Sequence, residues 1–178
     1  MNPDKNFNDA ADRYATSPSI ENSIALAQEF FNKGLFTEAR DLYLSCLKGI
    51  HTDDPVIIVG LIRCEFELKN FEEVKARLDK LIEKKPDYKN QEAHLLYARA
   101  LESLHDTDSA QHEYETLHGY FSGPDASFYF AKFLKSTKQT DKAISIFQHI
   151  LDTAKRSSKF YNTNHQEIIR QTRVELKH

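Results

Sequence analysis

The 178-residue sequence predicts an all-α fold built from repeated helix pairs, and three observations carry that prediction. A small or medium apolar residue recurs at a spacing of twelve: Ala27 and Ala39, Ile62 and Val74, Ala98 and Ala110, Ala131 and Ala143. The segments holding these pairs start at Ile20, Pro55, Gln91 and Pro124, which are 35, 36 and 33 residues apart. Only five Gly and five Pro occur, with no strongly alternating β-rich stretch, which disfavours a sandwich or barrel. A hydrophobic content of 40% is enough to pack one domain or one short array.

The elements follow in order. Residues 1–19 are polar, contain Pro3 and Pro18, and have only Phe7 and Tyr14 as large apolar anchors; they read as a lead or linker with room for a helical stretch. The first repeat, 20–54, puts Ile20, Ile24, Ala27 and Phe30 or Phe31 on one helical face. It bends at Gly34, and a second helix from Thr37 buries Ala39, Leu42, Tyr43, Cys46 and Leu47. The second repeat, 55–90, opens with Asp54 before Pro55, a helix-start signal because the first helical N–H has no intrahelical partner to lose. Val56, Val59, Ile62 and Phe66 line its first helix. After a turn at Lys69 and Asn70, Phe71, Val74, Leu78, Leu81 and Ile82 line the second, which stops before Pro86.

The third repeat, 91–123, carries Leu95, Leu96, Ala98, Leu101 and Leu104, then Ala110, Tyr114 and Leu117. The fourth, 124–157, carries Phe130, Ala131, Phe133 and Leu134, then Ala143, Ile146, Phe147, Ile150 and Leu151. Both have Thr, at Thr107 and Thr140, where the first two repeats have an aromatic after the turn. Residues 158–178 place Tyr161, His165, Ile168, Thr172 and Leu176 on one face and Arg170, Arg173 and Lys177 opposite. That pattern suits a helix covering the apolar flank of the last repeat, in preference to one lying on an anionic membrane surface.

The repeat length, the paired small residues and Pro86 at the thirty-second place of its repeat resemble the tetratricopeptide repeat (TPR) family. The resemblance implies antiparallel helix pairs stacked in a right-handed superhelix, closed by a C-terminal capping helix. It also implies a concave groove lined by the first helix of each pair. Carried over place by place, it puts Ile24, Val59, Leu95 and Phe128 at the fifth position, Gln28, Arg63, Arg99 and Lys132 at the ninth, and Phe31 and Phe66 at the twelfth. Glu102 and Lys135 hold that twelfth place in the last two repeats. A groove of this composition suits a protein or peptide partner bearing carboxylates and apolar side chains, because Arg holds a carboxylate through two parallel hydrogen bonds. Pairing of the same cations with Glu65, Glu67, Glu92 and Glu102 is the competing reading. The Lys and Asn clamp by which some arrays of the family bind chaperone C-termini is not matched, since Ile24, Gln28, Val59 and Arg63 stand at its places.

A closer likeness runs through DDPVIIVGLIRCEF, HLLYARALE, EYETLHGYFSGPDA and KFYNTNHQEII. These stretches resemble bacterial TPR proteins whose longer members carry amino-terminal membrane helices related to the phospholipase-D-nuclease amino-terminal segment. The likeness implies either a soluble region of such a protein or an unanchored relative, and implies no activity.

Nothing in the sequence argues for an enzyme, a cofactor or a metal. His112, Glu113 and His118 read HExxxxH, and Thr116 stands where a zinc-protease motif needs its second His. His105, Asp106 and Asp108 read as a polar turn, and His94 as an interior histidine satisfied between helices. Cys46 and Cys64 fall in core-like positions and read as packing residues in a reducing compartment. The formal net charge of −3 gives no general attraction for nucleic acid. It divides unevenly, with −4 over residues 1–54 and +4 over residues 138–178. No run approaches the length of a membrane span and the start lacks the pattern of a secretory signal, so the expected setting is cytoplasmic, or membrane-associated through an anchor outside this chain. The expected function is a scaffold or adaptor for protein binding. The alternative is a structural module forming a homo-oligomer through Phe7, Tyr120, Phe121 and Tyr161, and an enzyme working near His105 or His112 is the remote third reading.

Overall fold

The computed structural model describes residues 3–177, with helices and turns and no strand among them. Met1, Asn2 and His178, the ends of the expected lead and capping regions, lie outside the described residues. The chain divides into two compact units, Met1–Lys89 and Asn90–His178.

The first unit holds α1 (Pro3–Thr16), α2 (Ile20–Asn32), α3 (Phe36–Cys46), a 3-10 turn at Gly49–His51, α4 (Pro55–Glu67) and α5 (Phe71–Lys84). The stretch read as a polar lead is thus helical over Pro3–Thr16. It packs on α2, burying Ala10 and setting Phe7 edge-on to Phe30 at 5.5 Å. Its few apolar residues are spaced to meet a neighbouring helix, which a reading of composition alone does not register. Ser19 caps α2 by accepting from the Asn22 N–H, and Asp54 caps α4 by accepting from the Val56 N–H with Pro55 in the first turn.

The core of this unit is made of small and aliphatic residues with one tyrosine: Ala27, Ala39, Tyr43, Cys46, Ile57, Leu61 and Cys64. Gly60, inside α4, lets that helix approach α3 closely. A β-carbon there would lie 2.5 Å from the Tyr43 ring. Burial pushes the Tyr43 hydroxyl and the Cys64 thiol each up to about 12, with the charges of Arg63 and Glu65 among the lesser influences on Cys64. Both cysteines are buried free thiols, so Cys64 stays protonated at neutral pH and serves packing.

The second unit holds α6 (Gln91–Ser103), α7 (Thr107–Tyr120), α8 (Asp125–Ser136), α9 (Thr140–Arg156), α10 (Lys159–Asn164) and α11 (Gln166–Glu175). Its core is aromatic. Tyr114 stacks near Phe130 and Phe133, with ring centroids 6.0 and 5.3 Å away, and Phe128 lies 5.9 Å from Phe147. The single covering helix expected after residue 157 is two helices joined at His165. α11 packs on α9 and α8 with Ile169 and Thr172 buried. Lys135 of α8 reaches Glu175 of α11 at 2.9 Å.

All eight residues of the twelve-spaced pairs are buried: Ala27, Ala39, Ile62, Val74, Ala98, Ala110 and Ala131 are fully inaccessible, and Ala143 is 1% exposed. They let the two helices of each pair approach closely. The four turns inside the pairs are also alike. Gly34, Lys69, His105 and Lys138 all have left-handed φ, at 76°, 62°, 60° and 66°. The next residue's N–H returns to a carbonyl five residues earlier in every case: Leu35 to Phe30, Asn70 to Glu65, Asp106 to Leu101 and Gln139 to Leu134, at 2.8–3.0 Å. This six-to-one closure satisfies the carbonyls left open at a helix end. His105 therefore serves the chain's geometry, and Asp106 caps α7 by accepting from the Ser109 N–H.

Candidate protein-interaction surface

In the first unit the fold brings Gln28 and Phe31 of α2 against Arg63 of α4. The Arg63 guanidinium lies over the Phe31 ring, 4.4 Å from its centroid, and an Nη donates to Gln28 Oε1 at 3.0 Å. The thirty-five-residue separation of Gln28 and Arg63 is one repeat, so successive first helices are side by side and matching places meet. Phe31 and Phe66 each pack on the aromatic that opens the following helix, Phe36 at 5.2 Å and Phe71 at 5.4 Å. Ile24 is half-buried against the core, and Val59 is nearly covered.

The second unit repeats the motif with different residues. The Arg99 guanidinium of α6 lies over the ring of Tyr129 on α8, 4.0 Å from its centroid. Phe128, expected to line a groove, is 1% exposed and belongs to the core; Tyr129, one residue on, is the half-buried ring that faces the cation. Lys132 is exposed, with its ammonium 5.8 Å from the Phe128 centroid, and Leu95 is nearly buried.

An arginine stacked by its face on an aromatic ring is held in orientation, and its in-plane N–H groups are the ones that match a carboxylate. Two of the carboxylates considered as competitors have other partners. Buried Glu65 accepts from the Asn70 side chain at 2.7 Å, and Glu102 accepts from the Tyr114 hydroxyl at 2.6 Å. That bond, burial and the Glu102 charge together push the Tyr114 hydroxyl far above its ordinary value, burial most of all.

Two histidines, His94 and His118, bridge helices. His94 of α6 joins α7 at two points, its Nδ1 2.6 Å from the Tyr120 hydroxyl and its Nε2 2.5 Å from Glu113. His118 bonds Ser127 of α8 at 2.8 Å. The aromatics considered for self-association are mostly engaged: Phe7 on Phe30, Phe121 on the core, Tyr161 against His165 and Tyr120 on His94.

The geometry of these helix pairs agrees with solved structures. The thermophilic TPR protein TTC0263 of Thermus thermophilus matches with a TM-score of 0.69 at 14% identity, over 92% of this chain and 88% of that one. MamA of MSR-1 matches with a TM-score of 0.65 at 16% identity, over 87% of this chain and 95% of that one. MamA of AMB-1 gives the same score and identity over 86% and 98%. The fold is therefore all-α and of the TPR kind. No protein-family model matches the chain, and no curated protein is similar to it in sequence. No helix among the described residues is long and apolar enough to cross a membrane.

Proposed function

We propose that the chain is a protein-interaction scaffold, and that the first helices of its pairs receive an acidic, partly apolar segment of a partner protein. The observation that carries this reading is the recurrence, once in each unit, of an arginine at the ninth place of a repeat stacked on an aromatic from the adjacent first helix. Arg63 and Arg99 supply the carboxylate-binding edges. Phe31, Phe66 and Tyr129 supply apolar area beside them. Lys132 adds an exposed cation in the second unit. The buried thiols support a reducing, cytoplasmic setting.

The test is capture of a partner by the full chain and by the Arg63→Glu, Arg99→Glu double variant, with helical circular dichroism as the folding control. Partner retained by the native chain and lost by the variant is the expected result. Equal capture by a folded variant would remove these arginines from the binding surface.

A further inference from the structure

The first unit also has a recess, lined from the end of α3, α4 and α5. Its floor is Leu47, which follows α3, with Ile58 of α4 and Leu81 of α5, and its volume is about 170 Å³. That is comparable with apolar cavities that accept a benzene-sized group. Its rim is Arg77, Lys80 and Lys84, three cations on one face of α5 that span roughly 10 Å of helix.

One carboxylate, Asp53, already sits in the lining. Lys84 donates to both its oxygens, at 2.7 and 2.6 Å, and that bond, with the charges of Lys84, Lys80 and Lys85, holds the Asp53 carboxyl below its ordinary range. Asp53 shows what the rim receives. Arg77 meets Glu73 at 3.2 Å through one Nη, while its Nε is buried with no hydrogen-bond partner among the described residues. A buried guanidinium N–H left unmade is costly, and an incoming acceptor relieves it. The 3-10 turn leading to Asp53 carries Ile50, which is 95% exposed.

Lys84 is held by Asp53 and Arg77 meets Glu73, which leaves the exposed Lys80 and the buried Arg77 Nε to take an anionic partner, and the apolar floor calls for one that brings a hydrophobic group with it. Arg77, Lys80 and Lys84 all belong to the lining, and their span of roughly 10 Å is the length of an extended chain of about three residues. We propose that this recess is a second docking site, for an acidic peptide segment of a partner protein. The segment inserts one apolar side chain between Leu47, Ile58 and Leu81 and lays its flanking carboxylates along Arg77 and Lys80.

The site is tested with fluorescein-labelled DDLDD peptide titrated into the full chain carrying Arg63→Glu and Arg99→Glu, which removes the surface proposed above as a second acceptor, and followed by anisotropy. Saturable binding is expected. It should weaken by about tenfold or more when Lys80→Glu, which alters an exposed residue and leaves the circular dichroism unchanged, is added. It should weaken similarly when DDGDD replaces DDLDD. The proposal is overturned by any of three results: no saturable binding, equal binding of DDLDD and DDGDD, or equal binding with and without Lys80→Glu. Because both arginines of the other surface are altered throughout, the outcome is separate from that of the reading proposed above.

Discussion

The two units share a turn and a small-residue pair in every repeat, yet they close the twelfth place by opposite means. In the first unit that place is Phe31 and Phe66, each packed on the aromatic beginning the next helix. In the second it is Glu102 and Lys135. Glu102 takes the Tyr114 hydroxyl, and Lys135 ties α8 to Glu175 of α11. The aromatic mass moves to the core of the second unit, around Tyr114, Phe128, Phe130, Phe133 and Phe147. The spacing of small residues sets how closely two helices approach. It leaves open whether ring packing or a polar bond joins them, so one backbone carries two chemistries.

Breaking the aromatic and polar core of the second unit should give the largest effect. Tyr114→Ala removes a fully buried ring and should cost about 3–5 kcal/mol in urea denaturation. Tyr114→Phe keeps the ring, leaves Glu102 without that donor, and should cost about 1–3 kcal/mol. A cost near zero would mean that the polar closure contributes nothing.

The glycines inside helices sharpen the contrast. Gly60→Ala drives a methyl into the Tyr43 ring and should destabilise by about 1–3 kcal/mol. Gly119→Ala, in α7 with open space around it, should be neutral or stabilise by up to about 1 kcal/mol. Thermal or urea melts of the two variants should therefore move in different directions.

The shared turns offer a smaller effect common to both units. Lys69→Gly and Lys138→Gly relieve a side chain held at left-handed φ, and each should raise stability by roughly 0.5–1 kcal/mol. A fall in stability in either unit would show that the lysine stem packs usefully at that turn.

The smallest expected effect is a pH response confined to the second unit. Burial, with the charge of His149 secondary, lowers the His118 pKa below its ordinary 6.5. Folding therefore favours neutral His118. Its contribution is present above pH 6.5 and is lost as pH falls through the lower folded value. His118→Gln should lose less stability than the native chain on going from neutral pH to about pH 5.5, measured by denaturation at each pH.

Much of this architecture is legible in the sequence because it depends on local periodicity. The Ala27/Ala39 spacing, the Asp54-Pro55 start and the bend at Gly34 each state a backbone requirement in a few adjacent letters. The turns at Lys69 and His105 are legible as polar breaks, but their left-handed φ, shared with Lys138, is not, since an ordinary side chain leaves no glycine to mark it. Helix α1 is disguised by its polar composition, whereas Gly60, a lone glycine inside a helix, is a sequence signal of close approach. At the candidate surface Arg63 follows from the repeat register, but the choice between Phe128 and Tyr129 does not. Neighbouring residues differ by about 100° around a helix, so a modest rotation of α8 sends one ring to the core and the other to the cation. The recess of the first unit assembles Leu47, Ile58 and Leu81 from three elements, a juxtaposition that no single-helix pattern encodes.

The central claim, that arginines stacked on rings select acidic and apolar segments, is tested most directly by displayed-peptide selection on two proteins that both carry Lys80→Glu to silence the recess of the first unit, one with Arg63 and Arg99 native and the other with Arg63→Glu and Arg99→Glu. The account predicts enrichment of peptides combining Asp or Glu with large apolar residues where the arginines are native, and loss of those peptides on the folded variant without them. Enrichment without acidic residues, or the same peptides recovered from both proteins, would contradict it.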